Sequence, residues 1–409
     1  MPTDVADLSH SSTTNTLQEE NEGISLIELR AGVGLAAIYG LRMLGLFLVL
    51  PVFAIFAPSL PGGNDLKLVG LAIGAYGLTQ ALLQIAYGAA SDRFGRKPVI
   101  VFGLLLFALG SVIAAMADDI YWMIAGRIVQ GAGAVSAAIS ALAADLSREQ
   151  HRTKVMAMIG VSIGLVFALS LVTAPPLYAL IGMAGIFWLT AVLALLAIFV
   201  LLYWVPSAPP LPRGKPVQLL QVLADRQLAR LNFGVFTLHL CQAAMWVLIP
   251  TALATAGGLP LPQHWMVYLP ALLLSFLVMV PAIIHAERHS RLRPIFMAAV
   301  FLLLLVQLGF MTFEHGLWTL ATLLTLFFIA FNILEAMQPS LISRLAAPES
   351  KGKALGVYNT LQSAGLFLGG LSGGVLASSF GTTTLFATCA LLIGLWLIGS
   401  LGLKYPGRT

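Results

Sequence analysis

Three residues able to carry charge sit where the sequence is otherwise apolar: Arg42 in "IYGLRMLGLFLVLP", Arg127 in "RIVQGAGAV" and Glu335 in "FNILEAMQPSLIS". An arginine at the centre of a membrane helix costs ~2.5–3.5 kcal/mol on insertion scales, so each is expected to face a cavity or a partner. Glu335 is the one carboxylate placed well inside an apolar run. Loss of water disfavours its ionised form and a nearby arginine favours it, so a residue held between those effects can carry a proton. The expected chemistry is proton exchange, with Glu335 loading from outside and releasing inward while Arg42 or Arg127 supplies the charge that stands in for the lost proton. A fixed bridge from Glu335 to an arginine is the alternative. His239 is a further candidate carrier, although a packed polar role is commoner for such a residue.

The elements that must hold these charges follow from composition. Of 409 residues, 59% are hydrophobic and 10% charged, against roughly 45–50% and 25% in a soluble domain. Twelve runs of about 20 apolar residues, each long enough to cross the ~30 Å of a bilayer core as a helix, recur between residues 29 and 403. The long continuous Leu, Ala, Phe and Val runs exclude an alternating barrel pattern, which leaves an all-α bundle that satisfies its own backbone in lipid. Residues 1–23 are polar and acidic without a basic n-region, and are expected to form a disordered tail rather than a cleaved signal. Cys241 and Cys389 lie inside apolar runs without metal-ligand spacing and read as small buried residues.

Lys and Arg in short loops set orientation. With the N-terminal tail in the cytoplasm, 19 of the 22 basic residues fall on that side and only Lys67 opposite. An even number of spans then puts both termini in the cytoplasm. The net charge of +5 is a topological signal, and nucleic acid is not an expected partner.

Residues 206–229 form the one long polar interruption and read as a cytoplasmic linker. Its proline-rich start cannot continue a helix, while Val217, Leu220, Leu223 and Leu228 suit a short surface helix. It divides the chain into six-helix bundles at 24–205 and 230–405. The halves echo each other: "AASDRFGRKPVIV" after span two is matched by "IIHAERHSRLRPIF" after span eight, and "REQHRTKVMAMIGV" by "PESKGKALGV" after spans four and ten. Repeated halves of this kind build a site at their interface that either side can uncover.

The loop "GAASDRFGRKPVI" packs an acid, three bases, two glycines and a proline between two spans. Gly88 and Gly95 permit close approach and a tight turn, and Pro98 suits the start of the next helix. A solvated turn would not need this spacing, and the spacing resembles the signature loop of the major facilitator superfamily: Gly88, Asp92, Arg93, Gly95, Arg96 and Lys97, with Ala90 in place of the usual leucine. The resemblance implies a conformational latch in which Asp92 docks on the N-terminus of helix eleven and Arg96 pairs with Asp145 at the end of helix four, both contacts breaking on inward opening. "RIVQGAGAV" is similar to the proton-antiporter motif of that family, through Arg127, Gln130, Gly131, Gly133 and Ala134. Its small residues are equally what close helix packing in lipid requires. Span five departs from the family pattern, with Ala174 where exporters have a glycine before Pro175.

Taken over nearly all twelve helices, the chain resembles the drug:proton antiporter branch, YajR-type transporters in particular, through "LRMLGLFLVLP", "YGLTQALLQIAYG", "DLSREQHRTK" and "FNILEAMQPSLIS". Relatives of that type carry a soluble domain after helix twelve, whereas this sequence stops at "KYPGRT". In the resembled fold, helices one, four, seven and ten line a central cavity. Arg42, Arg127 and Glu335 occupy three of them, and His239 and Gln242 the fourth. Tyr39, Gln80, Gln84, Gln130, Trp246, Asn332, Gln338, Asn359 and Gln362 could line the same space, each being also plausible as helix-packing glue.

The expected function is a proton-coupled secondary transporter of the inner membrane, a monomer needing no cofactor, that exports small amphiphilic molecules by alternating access. Two buried arginines against one glutamate favour anionic, zwitterionic or neutral substrates over lipophilic cations. A facilitator or substrate:proton symporter on the same fold is the first alternative. A membrane enzyme is disfavoured, because the sequence has no HExxH, Walker loop or clustered His/Asp set.

Overall fold

The computed structural model describes residues 24–207, 219–312, 316–347 and 350–405. The expected tail at 1–23 and residues 208–218 of the expected linker lie outside them. Among the described residues every regular element is a helix. Eleven helical runs among the described residues are long and apolar enough to cross a membrane. The longest, Glu149–Tyr203, contains spans five and six, which are separated by a sharp bend at Gly182, where φ is 68° and ψ −179°. Only glycine takes that backbone without strain, so a single residue replaces the loop expected there and brings the number of spans to twelve.

Span one comprises Leu26–Phe47 and Leu50–Phe56, with Pro51 in the first turn of the second piece, where a missing N–H costs little. It starts with a reciprocal cap: the Glu28 amide donates to Ser25 Oγ at 3.2 Å and the Ser25 amide to Glu28 Oε2 at 2.9 Å. The buried Glu28 carboxylate also accepts from the Arg148 amide at 2.8 Å and Nη2 at 3.0 Å and lies 3.2 Å from His151 Nδ1. This ties the entry of span one to the loop between spans four and five.

Span two is Leu66–Phe94 and span three Arg96–Ala115. Span four, expected as one helix, is two: Ile120–Gly131 and Ser136–Asp145. The break falls in the "GAGAV" stretch. A Cβ on Gly131 would sit 2.1 Å from the Tyr76 carbonyl, and one on Gly133 2.4 Å from that of Gly103. These glycines are there because backbone meets backbone.

After a short helix at Leu219–Ala224, the second bundle comprises Arg226–Thr255, Trp265–Arg288, Leu292–Phe310, Leu317–Leu345, Lys351–Phe380 and Thr382–Ser400, which are spans seven to twelve. On one face of the molecule Lys97 Nζ donates to the Val205 carbonyl at 2.7 Å, and the Lys404 amide to Gln227 Oε1 at 2.8 Å. The starts of spans three and seven and the ends of spans six and twelve therefore share that face, called here the basic face.

The bundles are sealed on the opposite, far face. Gly70 and Gly74 of span two meet Gly370, Gly374 and Phe367 of span eleven so closely that a Cβ on Gly70 would lie 2.2 Å from the Gly370 carbonyl. Deeper in, Phe167 of span five packs edge-on against Phe328 of span ten, ring centres 6.1 Å apart. Toward the basic face the same helices diverge. Nothing stands within 4 Å of where a Cβ would sit on Gly160 or Gly164 of span five, or on Gly352 or Gly356 of span eleven. The protein is closed at the far face and parted at the basic one.

Candidate functional site

Arg42, Arg127 and Glu335 fall into two separate clusters, one in each bundle. In the first, the fully buried Arg42 guanidinium donates to the Tyr76 hydroxyl, to Gln80 Oε1 at 2.9 Å and to Ser136 Oγ at 3.3 Å, and stacks 5.5 Å from the Phe107 ring centre. Arg127 donates to Gln130 Oε1 and more weakly to the Ala72 carbonyl at 3.4 Å, and lies 5.3 Å from the same Tyr76 ring. Gln130 in turn donates to Ser111 Oγ at 2.9 Å. Two guanidiniums thus flank one tyrosine, their charge shared among neutral oxygens and aromatic faces. Arg42 reaches spans two and four, but its hydrogen bonds do not extend to span ten as expected.

In the second cluster Glu335 Oε1 accepts from Gln362 Nε2 at 3.2 Å, and Oε2 lies 3.5 Å from His239 Nε2. His239 Nδ1 sits 3.0 Å from the Val235 carbonyl, so the neutral ring carries its proton there and leaves Nε2 to accept from Gln362 Nε2 at 2.7 Å. The alternative of a Glu335–arginine bridge does not form, because both arginines are committed within the first bundle. The nearest ionisable neighbour of Glu335 is His239, and the Gln362 amide bridges the two. The Glu335 side chain is 34% exposed and that of His239 5%, while Oε2, the carboxylate oxygen facing the imidazole, is itself buried.

The remaining cavity candidates sort by partner. Asn332 donates to Ser275 Oγ of span eight at 2.8 Å, and Trp246 packs edge-on against Tyr268 at 5.9 Å, contacts internal to the second bundle. Tyr39 and Gln242 are buried. Gln80 instead crosses between bundles, donating to Ser363 Oγ of span eleven at 3.0 Å, and Ser363 donates to the Asn359 carbonyl at 3.0 Å. Gln84 and Gln338 are fully buried, and neither amide has a hydrogen-bond partner in the protein.

The signature loop lies on the basic face. Gly95 takes φ 96° at the junction of spans two and three, which a side chain would strain. Arg96 Nε donates to Asp145 Oδ2 at 2.7 Å and Nη1 to Ser91 Oγ at 2.8 Å; it also pairs with Asp92. Asp92 is 67% exposed and turned to Arg96 rather than docked on span eleven, because the bundles are parted here. The Arg96–Asp145 pair persists in this parted state, contrary to the expectation that it would break. Arg93 lies over the Phe94 ring and Lys97 anchors the end of span six. The second half has a pair of its own on this face: Arg344 Nη2 donates to Glu287 Oε1 at 2.7 Å, Glu287 lying in the loop that matches the one holding Asp92.

The two pairs should differ in worth. Arg96 and Asp145 are 20% and 14% exposed, Arg344 and Glu287 33% and 39%. Asp145→Asn is expected to cost about 1.5–3 kcal/mol, as for a hydrogen bond to a charged group, and Arg344→Ala under ~1 kcal/mol, as for an exposed pair. Thermal unfolding of both variants in detergent measures the difference.

Sequence reasoning passed over Tyr76, Ser136, Ser363 and Glu28. The signals were present: Tyr76 lies one helical turn before Gln80, and "SLIE" is a capping-box pattern. A tyrosine and two serines in apolar helices do not stand out until the fold aims them at an arginine or a glutamine.

The sequence matches the family model described as Major Facilitator Superfamily over residues 35–284 and again over 231–408. The chain belongs to the major facilitator superfamily. It is 42% identical over 384 residues to the inner membrane transport protein YajR of Escherichia coli, covering 93% of this chain and 84% of that one. It is also 28% identical over 344 residues to the multidrug resistance protein MdtH of Aeromonas hydrophila, covering 81% of this chain and 83% of that one. A solved bacterial homologue of the human lysosomal transporter Spinster, inward-facing and occupied, superposes with a TM-score of 0.73 at 13% identity, over 93% of this chain and 97% of that one. The chain is accordingly a multi-pass membrane transporter and not an enzyme.

Proposed function

We propose that the protein is a proton-coupled secondary transporter that exports small amphiphilic molecules across a bacterial inner membrane as a monomer, with the basic face and both termini in the cytoplasm. The observation that carries this reading is the Glu335–His239 pair: a carboxylate and an imidazole 3.5 Å apart inside an apolar bundle, with the Glu335 side chain partly exposed. Such a pair can hold or release a proton as its access changes sides. The membrane relatives support the setting, and the multidrug resistance protein MdtH supports the drug-export reading.

Arg42 and Arg127 are too engaged with Tyr76, Gln80 and Gln130 to trade places with a proton on Glu335. Their role is to keep the first bundle electropositive with no carboxylate among their hydrogen-bond partners, which favours anionic, zwitterionic or neutral substrates over lipophilic cations. Asp92 docking on span eleven when the basic face closes completes the cycle.

Proteoliposomes with an imposed proton gradient, a panel of amphiphilic substrates and an internal pH dye test the reading. Substrate flux should follow the gradient and move protons. In Glu335→Gln, flux should become indifferent to the gradient and the counter-movement of protons should vanish. Gradient-driven flux undiminished in Glu335→Gln would refute proton coupling through this residue.

A further inference from the structure

Two adjacent residues of span eleven connect the clusters. Gln362 faces the second bundle and donates to both Glu335 Oε1 and His239 Nε2. Ser363, turned about 100° around the helix, faces the first bundle and accepts from Gln80, which itself accepts from Arg42. Ser363 is 1% exposed and Gln80 8%. The contact lies at the inner edge of the glycine seal, where a Cβ on Gly77 would meet the Ser363 carbonyl at 2.6 Å.

We infer that Gln362 and Ser363 act together as positioning residues that link the protonation of the Glu335–His239 pair to closure of the far face. This rests on the proton-coupled reading above. The step follows from donors and acceptors. In the arrangement seen, neutral His239 offers Nε2 as an acceptor, and the single Gln362 NH2 group bridges it to the carboxylate. Protonation of His239 turns Nε2 into a donor, so two donors face each other and the Gln362 amide must turn or withdraw. Protonation of Glu335 instead removes the charge that holds the same amide. Either event loosens Gln362, and because Ser363 is the next residue on a rigid helix, rotation of that turn carries Ser363 away from Gln80. The other groups that face the pair are Val235 and Phe331, through a carbonyl and a ring, and the buried Tyr358 hydroxyl, which has no hydrogen-bond partner of its own.

The test uses the full chain in lipid nanodiscs with spin labels at Lys67→Cys and Ser379→Cys, exposed positions on spans two and eleven beside the seal. The native cysteines are buried, so labelling stays selective. Acidification should shift the label pair from short to long distances. Ser363→Ala and Gln80→Ala should each raise the long-distance population about threefold at every pH, the worth of one interhelical hydrogen bond in a membrane, with no further gain in the double variant. Ser363→Thr, which keeps the hydroxyl, should restore the parent ratio. Gln362→Met should fold and close but lose the pH response. An unchanged ratio in Ser363→Ala, or an intact pH response in Gln362→Met, overturns the inference. If Glu335→Gln abolishes the response while Gln362→Met keeps it, proton coupling stands and the link through span eleven falls. If the parent shows no response to pH, both fall.

Discussion

Gly370→Val is expected to reduce transport to background while leaving the protein folded and inserted. A Cβ at Gly370 would meet the Gly70 carbonyl at 2.6 Å and the Gly74 amide nitrogen at 2.7 Å. Both are backbone atoms of the opposing bundle, so no side-chain rotation can clear the space. The bundles must separate at the far face, and alternating access then loses one of its two states. The three atoms nearest that Cβ all belong to the first bundle, so thermal unfolding should stay close to that of the parent protein. Distances between labels at Lys67→Cys and Ser379→Cys should be long under all conditions. Short distances, or retained flux, would show that the seal is not required for turnover.

Arg42→Leu is the second large effect, and magnitudes decide its character. Removing the guanidinium takes a donor from the buried Tyr76 hydroxyl, Ser136 Oγ and Gln80 Oε1; the two hydroxyls can still pair as donors, which leaves Gln80 Oε1 unsatisfied at about 1–3 kcal/mol. Against that stands the ~2.5–3.5 kcal/mol insertion cost of a central arginine that the variant avoids. The two nearly cancel, so expression and melting temperature should change little while coupled flux falls to background. Arg42→Lys should not rescue, because a lysine cannot present a planar fork to three acceptors at once. Flux retained in Arg42→Leu would reduce this cluster to packing.

Much of the architecture was legible because membrane helices obey one strong rule, that apolar length must match the bilayer. The break between spans five and six was expected between residues 180 and 184; that Gly182 alone makes it was not, because hydropathy marks where an apolar run ends and says nothing of the backbone angle that ends it. The break in span four was hidden in the stretch whose glycines read as close packing; they are that as well. Arg42, Arg127 and Glu335 were found by their cost in lipid, but their pairing was not. Coulomb attraction alone would join the acid to an arginine, and the sequence does not reveal that a tyrosine, a glutamine and a serine have already claimed the guanidinium. His239 became the nearest ionisable neighbour of Glu335 through rotational register between spans seven and ten, which no local pattern encodes.

The far seal is built from backbone and hydrogen where other gates use large side chains. Closing it immobilises almost no rotamers, so it carries little of the conformational entropy cost that ordering long side chains would add. The glycine contact itself adds little to the opposing hydrophobic gain, which comes from the side chains deeper in, Phe167 against Phe328 among them. A contact with neither large term sits near thermal balance. The choice between the two faces can then be left to something as slight as where one proton rests.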